Sequence, residues 1–301
     1  MGSRFVSDSA CASLLPWPAE DANKYSRGKL VLAAGCAKYP GAACLAASAA
    51  SRVGAGYVQV VCADETAPVV RAWQPSLVVT PWSQGLASGS QPSERRPVAY
   101  AVGPGFDAHD AQCSQISLAV MQLAADLAAP LLVDGGALSV FSDSQAAGII
   151  RSCAELGVPA VLTPHGGEAV RLANALGVPT FAGQPGGVRE QEDLARRLSQ
   201  ALRAIVVLKG PDTCIAFEED VVVVDEGTSA LAKAGTGDVL AGMIGGLLAQ
   251  GLRPFDAAQL GVKLHARAGI VAAERMTSIC VIPEDVLDAI PVAIKALSEA
   301  V

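Results

Sequence analysis

Residues 233–248 read Lys-Ala-Gly-Thr-Gly-Asp-Val-Leu-Ala-Gly-Met-Ile-Gly-Gly-Leu-Leu and say most about the kind of protein this is. Gly235 and Gly237 flank a threonine, and Asp238 follows them where an apolar helical pattern begins. Glycine lets backbone N–H groups approach a phosphate closely, and the first turn of a helix leaves N–H groups unpaired at the positive end of its dipole. The stretch therefore predicts an anion site, beside a carboxylate that can act as a base on an incoming hydroxyl.

A simpler interpretation of this glycine loop (residues 233–238) stays open at this point. Glycine-rich turns before helices are common, and Asp238 is also a favourable charge for the first turn of any helix. The glycine spacing differs from that of the GxxxxGK[ST] phosphate loop. Other segments have to decide between the two interpretations.

Composition and charge limit the classes of function. Of the 301 residues, 51% are hydrophobic and only 4% are aromatic, which is typical of an α/β protein with buried parallel strands of Ala, Val, Leu and Ile. The formal net charge is −7 and the sequence contains no Lys/Arg run, so neither nucleic acid nor an anionic membrane is an expected partner. The longest apolar run, 239–252, is too short to span a bilayer, and residues 1–20 lack the apolar core of a signal peptide.

The eight cysteines form no CxxC pair, and most stand inside apolar stretches. Disulfide and metal frameworks fit this spacing poorly, which favours buried thiols that act as small hydrophobic side chains. A reducing cytoplasm is the expected location.

Alternating apolar and helical patterns predict the architecture. Predicted strands cover 29–34, 57–62, 77–80, 98–102, 131–133, 160–162 and 205–208, with an antiparallel pair at 214–217 and 221–224. Predicted helices cover 41–53, 110–128, 166–176, 188–202, 238–251, 255–275 and 283–299, and 83–96 reads as an exposed loop. This order predicts an α/β fold with a mostly parallel central sheet and helices on both faces. We expect a single domain over 1–301, in which 1–27 form an arm or a first short helix.

Polar residues collect directly after the predicted strands, where ligands bind in open α/β sheets. The segments concerned are Gly35 to Ala42, Gly103 to Gly105, Asp134 to Gly136, Thr163 to Glu168, and Lys209 to Thr213. Because the glycine loop joins them, the coincidence of so many glycine and polar residues at one edge indicates a binding site.

Single side chains at these ends keep alternative roles. His165 is as compatible with a ligand contact as with a structural role, whereas Glu168 is favoured as the cap of the following helix. Lys209 follows four apolar residues and precedes a glycine, which favours an anion contact over a surface lysine. For Asp134, a helix cap, a magnesium contact and a substrate contact remain open. The other two histidines, His109 and His265, are interpreted as structural.

The motifs resemble those of the ADP-dependent NAD(P)H-hydrate dehydratases, a branch of the ribokinase-like superfamily. The matching segments are Ala-Gly-Cys-Ala-Lys-Tyr-Pro-Gly-Ala-Ala (34–43), Arg-Val-Gly-Ala-Gly (52–56), Val-Gly-Pro-Gly (102–105), Val-Asp-Gly-Gly-Ala-Leu (133–138), Leu-Thr-Pro-His-Gly-Gly-Glu (162–168), Leu-Lys-Gly-Pro-Asp-Thr (208–213) and Leu-Ala-Lys-Ala-Gly-Thr-Gly-Asp-Val-Leu-Ala-Gly (231–242). They follow the family's order from about residue 25 onward. The chain departs from the family at Cys36, often Ser, at Gly166, often Pro, and at 227–229, where an Asn is usual.

The resemblance implies a reaction and a set of site residues. Family members repair hydrated NADH and NADPH by phosphorylating the ring hydroxyl and expelling phosphate, with ADP as the phosphoryl donor in the bacterial-type members. By motif position, the hydrated dinucleotide contacts Ala42, Gly105, His165 and Asp238, with Asp238 as the catalytic base. The adenine nucleotide, ADP or ATP, contacts Lys209, Gly210, Pro211, Asp212, Thr213, Gly235, Thr236 and Gly237. The resemblance also implies Mg²⁺ between phosphate oxygens, with no assigned protein ligands, and a homo-oligomer.

Two other functions remain as alternatives. A ribokinase-like kinase acting on a vitamin-precursor alcohol shares the glycine loop and Asp238. A nucleotide-binding regulator without catalysis also has such a loop, although the retained Asp238 argues against it.

Overall fold

The computed structural model of the protein describes residues 4–86, 93, 96–180 and 186–300. Its strands are β1 (Lys29–Ala33), β2 (Tyr57–Cys62), β3 (Val78–Pro81), β4 (Val98–Val102), β5 (Leu131–Val133), β6 (Val161–Leu162), β7 (Ile205–Leu208), β8 (Thr213–Phe217) and β9 (Asp220–Val224). Its α-helices are α1 (Asp8–Ala12), α2 (Pro40–Arg52), α3 (Ala67–Trp73), α4 (Ala111–Asp126), α5 (Ser144–Glu155), α6 (Gly166–Leu176), α7 (Val188–Leu202), α8 (Thr236–Ala249), α9 (Pro254–Met276) and α10 (Pro283–Ser298).

The strands form one sheet in the order β3-β2-β1-β4-β5-β6-β7-β8-β9. Every neighbouring pair from β3 to β7 is parallel, and β8 is antiparallel to both β7 and β9. Lys29 of β1 lies opposite both Tyr57 of β2 and Val98 of β4, so these strands begin level with one another. The predicted sheet with an antiparallel pair at its end is confirmed.

Both faces of the sheet are covered, as predicted. Along β1, Leu30 and Leu32 join one buried cluster with α2, α3, α8, α9 and α10, while Val31 and Ala33 join a second one with α4, α5, α6 and α7. Successive side chains of a strand point to opposite faces, which is why a continuous apolar run such as residues 30–33 packs helices on both sides.

Glycines in α8 allow an unusually close contact with α2. A side chain at Gly242 would begin 2.0 Å from the Ala46 carbonyl oxygen, and one at Gly246 would begin 2.8 Å from the Cα of Ala50. The two helices therefore pack backbone against backbone. This contact fixes α8, and with it the glycine loop that precedes α8, against the sheet.

The described structure contains two longer helical regions that the sequence patterns did not predict, besides two three-residue 3-10 helices at Trp82–Gln84 and Ser229–Leu231. One is α3, a single short helix of seven residues that begins beside Pro68. The other runs from a 3-10 helix at Gly135–Ser142 into α5, where the Asp143 carboxylate accepts a hydrogen bond from the Gln145 amide. A 3-10 helix has no 3.6-residue period, and α3 is too short for a period to be recognised.

The sequence predicted two irregular segments, the arm 1–27 and the loop 83–96. Helix α1 lies inside the predicted arm 1–27, and the chain before it pairs with β9. Most of the predicted loop 83–96 lies outside the described residues. In the described part of the chain, no helix combines the length and the hydropathy needed to cross a bilayer.

The cysteine prediction is confirmed for seven of the eight thiols, which are buried, and is wrong for Cys280, which is exposed. All eight are free thiols. Burial raises the pKa of Cys153 to about 11 and that of Cys214 to about 12, so these two thiols stay protonated and act as packing groups.

Candidate active site

The loops that follow the parallel strands are joined to one another by backbone hydrogen bonds. The Gly35 amide donates to the Pro104 carbonyl at 2.9 Å, and the Asp134 amide donates to Val102 at 3.0 Å. Farther along, the Lys209 amide donates to the Pro164 carbonyl at 2.9 Å. The predicted convergence of the strand ends is thus present as a continuous row of paired loops.

Asp134 and Lys209 form a buried ion pair at the ends of β5 and β7. Lys209 Nζ lies 2.9 Å from Asp134 Oδ1, and the Thr163 hydroxyl donates to the same oxygen at 2.6 Å. The Asp134 side chain is 4% exposed and makes no cap hydrogen bond. Of the three roles left open for Asp134, the helix cap is therefore excluded.

His165 and Glu168 form the capping box of α6. The Glu168 carboxylate accepts from the His165 amide at 2.8 Å, while His165 Nδ1 accepts from the Gly167 amide at 3.0 Å. The predicted capping role of Glu168 is confirmed. Because Nδ1 acts as an acceptor, a neutral His165 ring carries its proton on Nε2. That atom lies 3.6 Å from Glu168 Oε1 on a side chain that is half exposed, where the N–H is available to a ligand.

The glycine loop has the geometry of an anion site. Gly235 has a φ of +99° and immediately precedes α8, and a side chain there would begin 2.8 Å from Pro283 Cγ. The Thr236 hydroxyl donates to the Leu231 and Lys233 carbonyls at 2.7 and 2.9 Å. The Thr236 amide also donates, to the Lys233 carbonyl at 3.4 Å. The donors left for an anion are therefore the backbone N–H groups of Gly237 and Asp238 in the first helical turn.

Lys209 connects the strand ends to the glycine loop. A methyl group at Gly237 would lie 3.5 Å from Lys209 Nζ, so the ammonium faces the beginning of α8. Burial opposes the charge of Lys209, but the nearby carboxylates Asp134, Glu168 and Asp238 outweigh it and raise the pKa of the ammonium. Lys209 is therefore a permanent cation at the centre of the site.

Asp238 has the most perturbed carboxyl group of the site. Burial, with the charge of Asp134 as the next cause, raises its pKa from 3.8 to about 7, against the opposing effect of Lys209. Burial likewise raises the pKa of Glu168. A carboxylate whose pKa lies near neutrality both accepts and releases a proton under physiological conditions, which suits a general base.

A cavity of about 550 Å³ opens beside the glycine loop, and we call it the Lys209 cavity. It is lined by Lys209, Gly210, Pro211, Thr213, 225–229, Leu231, Ala232, Thr236, Gly237, Leu240, Val262, His265 and Ala266. Six of the eight residues predicted to contact a nucleotide thus line the Lys209 cavity. Asp212 and Gly235 are not among the lining residues, although each adjoins residues that are.

A second cavity has a volume of about 720 Å³, and we call it the Arg171 cavity after one of its lining residues. It is lined by Lys38, Tyr39, Phe106, Asp107, Ala108, His109, Gly135, Gly136, Leu138, Ser139, Ser142, Glu168, Arg171, Leu172 and Ala175. Ala42, Gly105 and His165 are not lining residues, but Tyr39, Phe106 and Glu168 are their neighbours. Ala42 and Gly105 themselves are in contact, because a side chain at Gly105 would begin 2.6 Å from Ala42 Cβ.

Both histidines interpreted as structural line a cavity. His109 lies in the wall of the Arg171 cavity. His265 is buried in the wall of the Lys209 cavity, where its Nε2 has no hydrogen-bond partner among the described residues and burial lowers its pKa to about 4. The helical spacing of Val262, His265 and Ala266 places all three on one face of α9, and this was the signal available in the sequence.

Known proteins share this fold and these motifs. A family model described as NAD(P)H-hydrate dehydratase matches residues 30–292. The ADP-dependent (S)-NAD(P)H-hydrate dehydratase of Xanthomonas campestris pv. campestris is 31% identical over 288 residues, covering 92% of this chain and 91% of that protein. A solved ADP/ATP-dependent NAD(P)H-hydrate dehydratase from Bacillus subtilis, co-crystallised with ATP and Mg²⁺, superposes with a TM-score of 0.78 at 24% identity over 99% of both chains. A ribokinase-like superfamily protein from Enterococcus faecalis V583 gives a TM-score of 0.78 at 24% identity, over 98% of this chain and 96% of that one.

The sheet order and the glycine loop place the protein in the ribokinase-like fold class. Within that class, the match over residues 30–292 and the identity to a curated relative show that the chain belongs to the NAD(P)H-hydrate dehydratase family.

Proposed function

We propose that the protein dehydrates hydrated NADH and NADPH in a reaction driven by ADP, and so returns damaged coenzyme to use. The observation that carries this proposal is the position of Asp238, a partly buried carboxyl group with a pKa of about 7, directly after an anion-binding loop and close to Lys209. Family membership gives the substrate class, and the two cavities at this site give room for a dinucleotide and a nucleotide.

In the first step, the hydroxyl oxygen of the hydrated ring attacks the terminal phosphorus of ADP. The new O–P bond forms as the bond from phosphorus to AMP breaks, and the Asp238 carboxylate accepts the hydroxyl proton. Lys209 and the N–H groups at the start of α8 stabilise the charge on the transferred phosphoryl group, which is the main task in such a reaction.

In the second step, the ring C–O bond breaks and phosphate leaves with the bonding electrons. The lone pair of the ring nitrogen stabilises the carbon that phosphate leaves, and the proton of the adjacent carbon passes to the departing phosphate as the double bond is restored. The sum is hydrated coenzyme plus ADP giving coenzyme, AMP, phosphate and the one proton that Asp238 releases. Phosphorylation is needed because phosphate is a far better leaving group than hydroxide.

The two cavities support a proposed position for each ligand. The nucleotide lies in the Lys209 cavity, with its phosphates toward Gly237 and Lys209. The hydrated ring lies at Ala42, Gly105, His165 and Asp238, and the remainder of the coenzyme extends into the Arg171 cavity. There Lys38 and Arg171 supply positive charge for the phosphates of the coenzyme.

The carboxylates of this site fit a magnesium ion that takes most of its ligands from phosphate oxygens and water rather than from the protein. Among the described residues, no group of three or more His, Cys, Asp or Glu side chains forms a metal site. Mg²⁺ commonly takes one or two protein carboxylates and completes its shell with phosphate oxygens and water. Asp134 and Glu168 are the carboxylates that would hold it, and it would supply neutralisation of phosphate charge.

Three finer features belong to the same proposal. ADP is favoured over ATP as the donor, because the curated relative is ADP-dependent. We also expect a homo-oligomer and a cytoplasmic location, in keeping with free thiols throughout the chain. The runner-up function, phosphorylation of a vitamin-precursor alcohol, needs only the shared fold and is less supported by the family match.

The test offers hydrated NADH together with ADP and Mg²⁺ and follows the return of the absorbance of intact NADH. The matched control is Asp238→Asn, which we expect to bind ADP almost normally and to show no turnover. Absence of recovery with the wild type, together with phosphorylation of a hydroxymethylpyrimidine or hydroxyethylthiazole, would establish the kinase instead. Equal ADP binding without turnover in both proteins would point to a regulator.

A further inference from the structure

Four charged side chains from distant parts of the chain form one cluster, which we call the Asp8 cluster: Asp8, Glu226, Lys263 and Arg267. Lys263 Nζ lies 3.0 Å from Asp8 Oδ1 and is hydrogen-bonded to Glu226. The Arg267 guanidinium contacts Asp8 Oδ2 at 2.6 Å and Glu226 Oε2 at 3.1 Å. Each carboxylate thus binds both cations, and the cluster is electrically balanced.

The charges of this cluster depend on one another because its two cations are withdrawn from water. The Lys263 side chain is only 4% exposed and that of Arg267 19%, while the side chains of Asp8 and Glu226 are 38% and 29% exposed. Hydrogen bonding to Arg267 lowers the pKa of Asp8. Burial opposes the charge of Glu226, but the two cations outweigh it and lower its pKa as well. Removal of one carboxylate would leave two adjacent cations sharing the other.

The arm that carries Asp8 is also fixed by its backbone. The Val6 amide donates to the Val223 carbonyl at 3.1 Å, and the Val223 amide donates to the Arg4 carbonyl at 2.9 Å. Lys263 Nζ donates to the Val6 carbonyl at 3.3 Å. Residues 4–6 therefore extend the sheet beyond β9, and helix α1, which follows them, begins with Asp8 at the ion cluster.

The Asp8 cluster adjoins the Lys209 cavity on two sides. Glu226 belongs to the segment 225–229, which forms one wall of the cavity, and Val262 and Ala266 of α9 form another. Val262 and Ala266 are the residues directly before Lys263 and Arg267. Glu226 itself lines the cavity, whereas Asp8, Lys263 and Arg267 do not. These three residues consequently fix the separation between the two walls from outside the space in which the nucleotide would lie.

We propose that Asp8 is a positioning residue for the nucleotide, acting through Lys263, Arg267 and Glu226 rather than by contact. With Asp8 in place, Glu226 and α9 are held at the separation that accepts the adenine nucleotide. Without its charge, the two cations compete for Glu226 and the segment 225–229 moves. This role depends on the proposed function, since it requires the nucleotide to occupy the Lys209 cavity.

The first experiment compares Asp8→Asn with Asp220→Asn by titration calorimetry with ADP. Asp220 is the matched control, because its 71% exposed side chain pairs with Arg4 of the same arm at 3.5 Å but lies outside the cluster. We expect D8N to bind ADP about tenfold more weakly, with a raised KM for ADP and an unchanged kcat. D220N should behave as the wild type. Equal ADP affinity in D8N and wild type would overturn the proposal.

The second experiment needs no variant and decides the case if D8N does not fold. Coupling between two sites is reciprocal, so ADP should slow amide hydrogen exchange in residues 4–8 of the wild-type protein, none of which lines the cavity. A purely structural arm would exchange at the same rate with and without ADP, and that result would overturn the proposal. A wild-type protein that binds no ADP would overturn the proposed function together with it, whereas normal wild-type binding with unchanged D8N affinity contradicts only the role of Asp8.

Discussion

The ammonium of Lys209 faces the α-carbon of Gly237, so closely that a methyl group there would lie 3.5 Å from Nζ. Lys209 directly follows strand β7, and Gly237 lies in the first turn of α8. The Lys209 ammonium therefore lies next to the positive end of the α8 helix dipole. In the absence of an anion these charges repel, and the carboxylates of Asp134, at 2.9 Å from Nζ, and of the nearby Glu168 and Asp238 compensate them.

Replacing Lys209 by Met should weaken ADP binding and lower kcat by about 100-fold, because a preorganised charge on the phosphoryl group is lost. Lys295→Met is the control, since Lys295 is exposed on α10. Calorimetry with ADP and steady-state kinetics would measure the two effects. Normal turnover in K209M would contradict the placement of the phosphates at this residue.

The pKa of Asp238 predicts how the reaction responds to pH. Since burial raises this pKa to about 7, the carboxylate needed as base disappears as the pH falls below that value. We expect kcat/KM to decrease about tenfold per pH unit on the acid side of about pH 7. A profile that stays flat between pH 5.5 and 8, measured at a fixed ADP and Mg²⁺ concentration, would exclude Asp238 as the base.

The same shift makes Asp238 a source of instability at alkaline pH. The folded protein holds this proton more tightly than the unfolded chain, so its contribution to stability is complete below about pH 3.8 and is lost as the pH rises through about 7. Asp238→Asn should therefore raise the free energy of unfolding at pH 8 by about 1–2 kcal/mol, after allowance for partial exposure.

The gain in D238N should shrink as the pH is lowered toward 5. Urea unfolding at pH 5 and pH 8 would measure it, with the exposed Asp288→Asn as control. A variant that is less stable than the wild type at pH 8 would show that the carboxylate is stabilised in the fold.

Gly235 and Gly148 form a matched pair for testing the glycine loop. Gly235→Ala places a side chain at φ +99° and 2.8 Å from Pro283 Cγ, which should cost about 1–3 kcal/mol and weaken ADP binding. Gly148 lies inside α5 with nothing within 4 Å, so Gly148→Ala should stabilise the protein by about 0.5–1 kcal/mol. Thermal unfolding and ADP titration of both variants would check this contrast.

Arg171→Ala tests the placement of the coenzyme. Because Arg171 lines the Arg171 cavity, its removal should raise KM for hydrated NADPH by about tenfold, raise KM for hydrated NADH less, and leave kcat unchanged. Arg275, exposed near the end of α9 and outside both cavities, provides the control variant. Equal KM values of wild type and R171A for hydrated NADPH would show that the phosphate by which NADPH differs from NADH binds elsewhere.

The sheet and the strand ends were predictable because their signals are local. A run such as Ile205–Leu208 is buried on both faces and is apolar throughout, and the lysine that follows it marks the edge. The glycine loop was recognisable for the same reason, since its conformation depends on a few adjacent residues. Helix α5 was not, although Ala146, Ile149 and Cys153 repeat at helical spacing, because it directly follows a 3-10 helix, which lacks the 3.6-residue period.

Contacts between residues that are distant in the chain could not be predicted from local sequence patterns. Asp8 and Arg267 are 259 positions apart and meet only because β9 and α9 bring the arm to them. His265 was likewise interpreted as structural, since nothing beside it in the chain shows which cavity α9 lines. Such relationships are set by tertiary packing and cannot be read from a local pattern.

The docking of residues 4–8 onto β9 and α9 has a consequence for the order in which the molecule is built. Their hydrogen-bonding partner Val223 and their ionic partners Lys263 and Arg267 are synthesised more than 200 positions later. During translation, residues 4–8 cannot make these contacts until most of the polypeptide has left the ribosome. Their docking then closes the exposed border of β9 against pairing with other chains, as one of the last events of maturation.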